Sequence, residues 1–209
     1  MTQADAFTGA SGLDREGLEA LTMRRVARRL GSGAMSLYHH VPNKQALLEG
    51  VLDLVLGEIE LPPGDTDDWA ERFKHLVRSL RRAVLRHPAV LPVLTAGQPT
   101  TTVAIRLMEE AFTALRRGGF SPVEAAHVYR VVGSYTIGYL TLEIRGFFDP
   151  DGERSPSGLQ GLRLEDFPDL FEVAPHLLTW DPDEQFEEGL RSVFDGLTEG
   201  IGGSPAALG

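Results

Sequence analysis

The 209-residue chain has no cysteine. Disulfides, thiolate metal sites and cysteine nucleophiles are thereby excluded, and a reducing compartment is compatible with that composition. Long apolar runs are missing as well. No uncharged apolar run approaches the roughly 18 residues that span a bilayer, and Met1 to Ala10 has neither the basic start nor the apolar core of a signal peptide. The expectation is a cytoplasmic protein with no membrane partner.

Catalytic motifs are absent too. There is no Gly-x-Ser-x-Gly, no Gly-x-x-x-x-Gly-Lys-Ser/Thr and no His-Glu-x-x-His, and Gly31-Ser32-Gly33 lacks the preceding strand and third glycine of a nucleotide loop. The six histidines are scattered, and the adjacent His39 and His40 diverge by about 100° on a helix, a poor geometry for chelating one metal. Asp149-Pro150-Asp151-Gly152-Glu153 opens like a calcium loop, but its twelfth position is Gln160. The sequence therefore predicts no enzyme, with no catalytic residues, no cofactor and no metal.

Strand-like alternation is nowhere sustained, whereas helical spacing is found nearly everywhere. Trp69, Phe73, Leu76, Val77, Leu80 and Val84 recur at three and four residues, as do Ala104, Met108, Ala111 and Leu115, and again Phe186, Leu190, Val193, Leu197 and Ile201. Breaks at Leu61-Pro62-Pro63-Gly64, His87-Pro88, Gly97-Gln98-Pro99, Gly118-Gly119, Asp149 to Gly161 and Asp181-Pro182 separate the stripes. The fold class is all-α, with a domain boundary at Pro62 to Asp65. The stretch 149–163 reads as a mobile loop and the tail from Gly202 as disordered.

Lys and Arg number 20 against 30 Asp and Glu, a net charge of -10. The charges are segregated. Residues 20–48 hold Arg24, Arg25, Arg28, Arg29 and Lys44 and no acid, so this segment carries +5 and the remainder -15. A short basic segment on an acidic body suits one face that meets phosphate.

Within that segment Thr22 can cap a helix running to Leu30, which Gly31 stops in the left-handed region. Ala34 to Val41 forms a second helix of two turns, and Asn43 caps a third from Lys44 to about Glu60. Two short helices joined by a glycine-containing turn make a helix-turn-helix. Helix N-termini prefer acids. Asp67-Asp68 before Trp69, the capping box Ser121-Pro122-Val123-Glu124 and Asp181-Pro182-Asp183-Glu184 obey that preference, but the helices after Thr22 and Asn43 open with Arg24-Arg25 and Lys44. An external phosphate would complete such ends; plain surface solubility is the competing explanation.

On the short helix, about 100° per residue with Leu37 inward puts Val41 inside as well. Met35 and His39 then point outward, flanked by Tyr38 and Ser36, on a surface that fits a major groove about 12 Å wide. His39 and Ser36 can bond a base edge or a phosphate, and Ala34 or Met35 can touch a thymine methyl. His40 lies nearer the inner edge, where packing and phosphate contact are equally open to it.

The stretch Leu21 to Glu60, with Leu-Thr-Met-Arg-Arg-Val-Ala at its start and Ser-Leu-Tyr-His-His-Val-Pro-Asn-Lys-Gln-Ala-Leu-Leu in its middle, resembles the DNA-binding domain of the tetracycline-repressor (TetR) family. Phe167-Pro168 and Asp181-Pro182-Asp183-Glu184-Gln185-Phe186 fit one large branch of it. The resemblance implies an N-terminal three-helix DNA-binding domain over residues 1–61 and a helical ligand-binding and dimerisation domain over 65–201. It implies a homodimer that represses at a palindromic double-stranded DNA operator and is released by a small-molecule effector. Carried over by position, Thr22, Arg24, Ser36, Tyr38, His39, His40 and Lys44 are the DNA contacts, with Tyr38 and Lys44 on backbone phosphates. The competing class is a helical ligand- or protein-binding module without DNA binding, because Phe7, Ala10 and Leu13 make a poor stripe for a first helix.

In the C-terminal part, Val123 to Phe147 is apolar almost all round and residues 131–142 carry no charge, so this helix needs partners on several faces. A second subunit can supply one, against the Phe186 to Ile201 stripe, where Gly189 and Gly196 let backbones approach. Gly189, Leu190, Val193 and Leu197 are the expected dimer interface; packing within one subunit is the other explanation. Arg106, Met108, Phe112, His127, Tyr135, Tyr139 and Glu143, with Thr136, are the expected ligand contacts, supplying aromatic walls and a few polar anchors. The same residues also describe an ordinary core with satisfied polar atoms.

Overall fold

The protein is described from a computed structural model, which describes residues 22–29, 31, 33–62, 68–96, 101–146, 166–177 and 181–202. The expected first helix in residues 1–16, part of the Pro62 to Asp65 boundary, the 149–163 loop and the tail after Gly202 lie outside the described residues. Among the described residues there is no strand. The helices are α1 (Met23–Arg29), α2 (Ala34–His40), α3 (Lys44–Leu56), α4 (Trp69–Arg86), a 3-10 turn (Pro88–Val90), α5 (Leu91–Thr95), α6 (Thr102–Arg117), α7 (Pro122–Ile144), α8 (Pro168–Leu177) and α9 (Pro182–Gly202).

Local chemistry sets the ends of these helices. Thr22 Oγ1 accepts from the Arg25 amide at 3.3 Å and Asn43 Oδ1 from the Ala46 amide at 2.8 Å, each satisfying an amide that the helix leaves free. Ser121 and Glu124 form the reciprocal box, the Ser121 amide donating to Glu124 at 2.7 Å and the Glu124 amide to the Ser121 hydroxyl at 3.3 Å. Gly31 adopts a φ of 62°, the left-handed value that halts α1. α3 is shorter than expected. Its last helical residue is Leu56, with Gly57 as cap, so Glu58 to Glu60 form an exit rather than a last turn.

Contacts group the chain into residues 1–126 and 127–209. This grouping follows packing, because α3 lies against α4, α5, α6 and the 3-10 turn, so contact is continuous past Pro62. In the first unit helices α1 to α3 form an N-terminal head with its own core of Met23, Val26, Ala27, Leu37, Val41, Leu47 and Val51. Leu37 and Val41 are fully buried, and each such side chain contributes roughly 1.5–3 kcal/mol. Farther along, α4 packs on α6, where Phe73, Leu76 and Val77 of α4 and Ala111 and Leu115 of α6 are buried, and Arg72 pairs with Glu110 at 3.8 Å. Trp69 meets the Phe120 ring edge-on at 4.6 Å and lies over Gly118, where a Cβ would come within 2.5 Å of the indole.

In the second unit α7 and α9 are joined by aromatic side chains. Phe186 stacks with Tyr135 at 5.8 Å and meets the edge of Tyr139 at 5.2 Å. Tyr135 donates to the Phe186 carbonyl at 2.9 Å and Tyr139 to that of Pro182 at 2.7 Å.

Candidate functional site

The α2 helix is two turns long, and its inner side is fixed by Leu37 and Val41. Every other described side chain on it follows from that anchorage. Met35 is 84% exposed, Tyr38 is 47% exposed, Ser36 and His39 are exposed, and His40 is half-buried at the edge. The His39 and His40 rings meet edge to face at 5.9 Å.

Cations stand where a helix start favours anions. Arg24 is exposed in the first turn of α1 and Lys44 is the exposed first residue of α3, while α1, α2 and α3 have no acid in their first turns. α6 lacks one as well, so the missing acid is not unique to the head; the cations in its place are what distinguish α1 and α3. Thr22 both caps α1 and stays exposed beside Arg24. The structure thus gathers Met35, Ser36, Tyr38 and His39 on one exposed helix face, with Thr22, Arg24 and Lys44 at the neighbouring helix starts.

The expected ligand contacts fall on two helices. On α6, Arg106 is exposed, Met108 and Phe112 are half-buried, and an open cavity of about 470 Å³ is lined by Phe112 together with Glu109, Thr113, Arg116 and Arg117. On α7, His127 is exposed, Glu143 is half-buried, and Tyr135 and Tyr139 have their hydroxyls engaged by α9. Thr136 is buried and donates to the Val132 carbonyl at 2.8 Å. Tyr135, Tyr139 and Thr136 thus have the satisfied polar atoms of a core.

Residues 12–51 match the model for bacterial regulatory proteins of the tetR family, and residues 61–201 match that for the tetracyclin repressor-like C-terminal domain. This chain belongs to the tetracycline-repressor family. It is a ligand-responsive, DNA-binding regulator of transcription. The crystal structure of apo ActR from Streptomyces coelicolor is 34% identical, covers 97% of each chain and superposes with a TM-score of 0.83. The HTH-type transcriptional repressor DrrR1 of Streptomyces coeruleorubidus is 30% identical over 88% of this chain and 72% of its own length. An HTH-type transcriptional regulator of Saccharopolyspora erythraea is 33% identical over 63% of this chain, which spans 56% of that relative's length.

In this TetR-family chain two residues of the expected dimer face, Gly189 and Leu190, are instead packed within the protomer. Leu190 is wholly buried within its own protomer, and Gly189 is packed under the Tyr135 ring. Phe186 holds α9 to α7 through Tyr135 and Tyr139, and Leu190 and Phe194 on the same stripe are buried within the protomer, which leaves Leu190 unable to meet a second subunit. Val193 and Leu197 are half-buried beside it. On α7, Ser134, Gly138 and Leu142 are exposed and spaced by four on one uncharged flank.

Proposed function

We propose that the chain is a cytoplasmic, non-enzymic homodimer that represses from a palindromic operator and is released by a small molecule, with residues 1–61 reading DNA and 65–201 sensing and dimerising. The observation that carries the reading is the exposed face of α2, from Met35 to His39, standing in an acid-free segment and held rigid by Leu37 and Val41. Ser36 and His39 supply hydrogen-bonding groups for base edges, Met35 an apolar surface for a thymine methyl, and Thr22, Arg24, Tyr38, His40 and Lys44 the phosphate contacts that fix register. The match of residues 61–201 to the family's C-terminal domain, and the structure of ActR in complex with actinorhodin, support a sensor for a small organic molecule in the remainder.

The mechanism is a two-state one. α3 joins the head to the helices of the sensor, and its 13 residues span about 20 Å at 1.5 Å per residue. A small tilt at its C-terminal end displaces paired heads along the duplex, so half-sites about 34–36 Å apart no longer match both of them. Pairing through the uncharged flank of α7 and the exposed side of α9 near Ser192 and Gly196 would set that spacing. The direct test is a footprint on the DNA flanking the chain's own gene, repeated with candidate small molecules. Protection of a palindrome, lost on adding one of them, supports the proposal; a duplex evenly cleaved at every protein concentration contradicts it.

A further inference from the structure

α3 is charged against its dipole at both ends. Lys44 stands at its start, where an anion is favoured, and its exit carries Glu58 and Glu60, where a cation is favoured. The start is explained by phosphate in the proposed function. The exit is explained by α4. Glu58 Oε2 accepts from Arg86 Nη2 at 2.8 Å and Nε at 3.1 Å, and its other oxygen lies 3.0 Å from His87 Nε2. Next to this cluster, the Glu60 amide donates to the buried Ser79 hydroxyl at 2.9 Å, and Glu60 lies 3.7 Å from Arg82. Ser79, Arg82 and Arg86 follow one another at three and four residues, so one flank of α4 holds the exit of α3 over two turns.

We propose that Glu58 is a latch that fastens the end of α3 to the C-terminal end of α4, so that the lever of the reading head cannot tilt unless α4 moves with it. The proposal rests on the regulator reading above. Arg86 grips a single carboxylate oxygen through two N–H groups and His87 takes the other, so the carboxylate is held in direction as well as in place. Burial pushes the Glu58 carboxyl up, but the hydrogen bonds and charges of Arg86 and His87 together outweigh it and hold the group below its ordinary range. An exposed cluster of this kind adds little to global stability, which suits a contact that must be made and broken.

Because the chain has no cysteine, a spin label can be placed on the head at Met35→Cys and on α4 at Leu85→Cys without removing any native thiol. In the full chain, diluted with unlabelled protein, pulsed dipolar spectroscopy should give a narrow distance distribution. Glu58→Gln should make it about twice as wide, since the head then samples more than one tilt. Glu58→Arg should do the same, and Glu58→Arg combined with Arg86→Glu should narrow it again. An unchanged width in Glu58→Gln, or a paired exchange that fails to narrow it, overturns the latch. Unlabelled wild-type protein, with Met35 intact, is separately mixed with a random pool of duplexes; its failure to enrich any duplex contradicts the regulator reading, while the widths judge the latch independently.

Discussion

Gly189 lies directly beneath the hydroxyl of Tyr135, and a Cβ on that glycine would overlap the ring as well as the oxygen. The tyrosine occupies this place because its hydroxyl is bonded to the Phe186 carbonyl one turn earlier on α9. At the Tyr135 hydroxyl, therefore, α7 and α9 approach this closely because α9 has no side chain there.

Gly189→Ala should destabilise the fold by up to about 2 kcal/mol: overpacking costs about 1–3, offset by somewhat under 1 from the gain in helix propensity. Urea unfolding measures it. Combined with Tyr135→Phe, the loss should be smaller than the sum of the two single changes, because removing the hydroxyl relieves part of the overlap. Additive losses would contradict the contact.

Subunit pairing separates two classes of residue. Gly138 is exposed and a Cβ there meets nothing within 4 Å among the described residues. Gly138→Arg should thus leave the protomer folded and yield monomers by light scattering. Leu190→Glu should behave otherwise, since it buries an unpaired charge in the α7–α9 seam and should cost about 4 kcal/mol or more. A Gly138→Arg protein that stays fully dimeric would move the interface away from this flank.

Acid should weaken the start of α7. The side-chain and backbone hydrogen bonds of Ser121 hold the Glu124 carboxyl below its ordinary range. A depressed folded pKa means that its contribution is complete above the ordinary carboxylate range and is lost as pH falls through the folded value. The melting-temperature difference between wild type and Glu124→Ala should stay constant from about pH 8 to pH 5 and shrink toward zero by about pH 3. A difference that persists unchanged at the acid end would show that the carboxylate charge is not its source.

The caps were legible in the sequence because each is a contact over two or three residues. Thr22, Asn43, Ser121 with Glu124, and Asp181 all act as the local pattern predicts. The orientation of α2 was legible for a similar reason: over two turns, fixing Leu37 fixes every other side chain. What a stripe packs against is a longer-range matter. Phe186, Leu190 and Phe194 announce a buried face on α9, yet nothing in their spacing distinguishes α7 of the same protomer from that of another. The uncharged middle of α7 likewise does not reveal that Ser134, Gly138 and Leu142 stay open. The end of α3 was misplaced because half-buried Ile59 continues the apolar pattern past Gly57, where the helix has already stopped. Arg106 and His127 have the chemistry of ligand anchors, but both are exposed, and chemistry alone does not give depth.

The account stands most directly on how the reading head discriminates sequence, measured by titrating the wild-type protein and single variants against its selected duplex and a random duplex at several salt concentrations. Arg24→Ala and Lys44→Ala should weaken binding about equally on both duplexes and lower the salt slope by about one unit each. His39→Ala should cost about 1–3 kcal/mol on the selected duplex and less on the random one, relaxing preference at one position per half-site. If the wild-type protein at low salt binds its selected duplex no more tightly than the random one, the exposed face of α2 does not read DNA and the central claim is wrong.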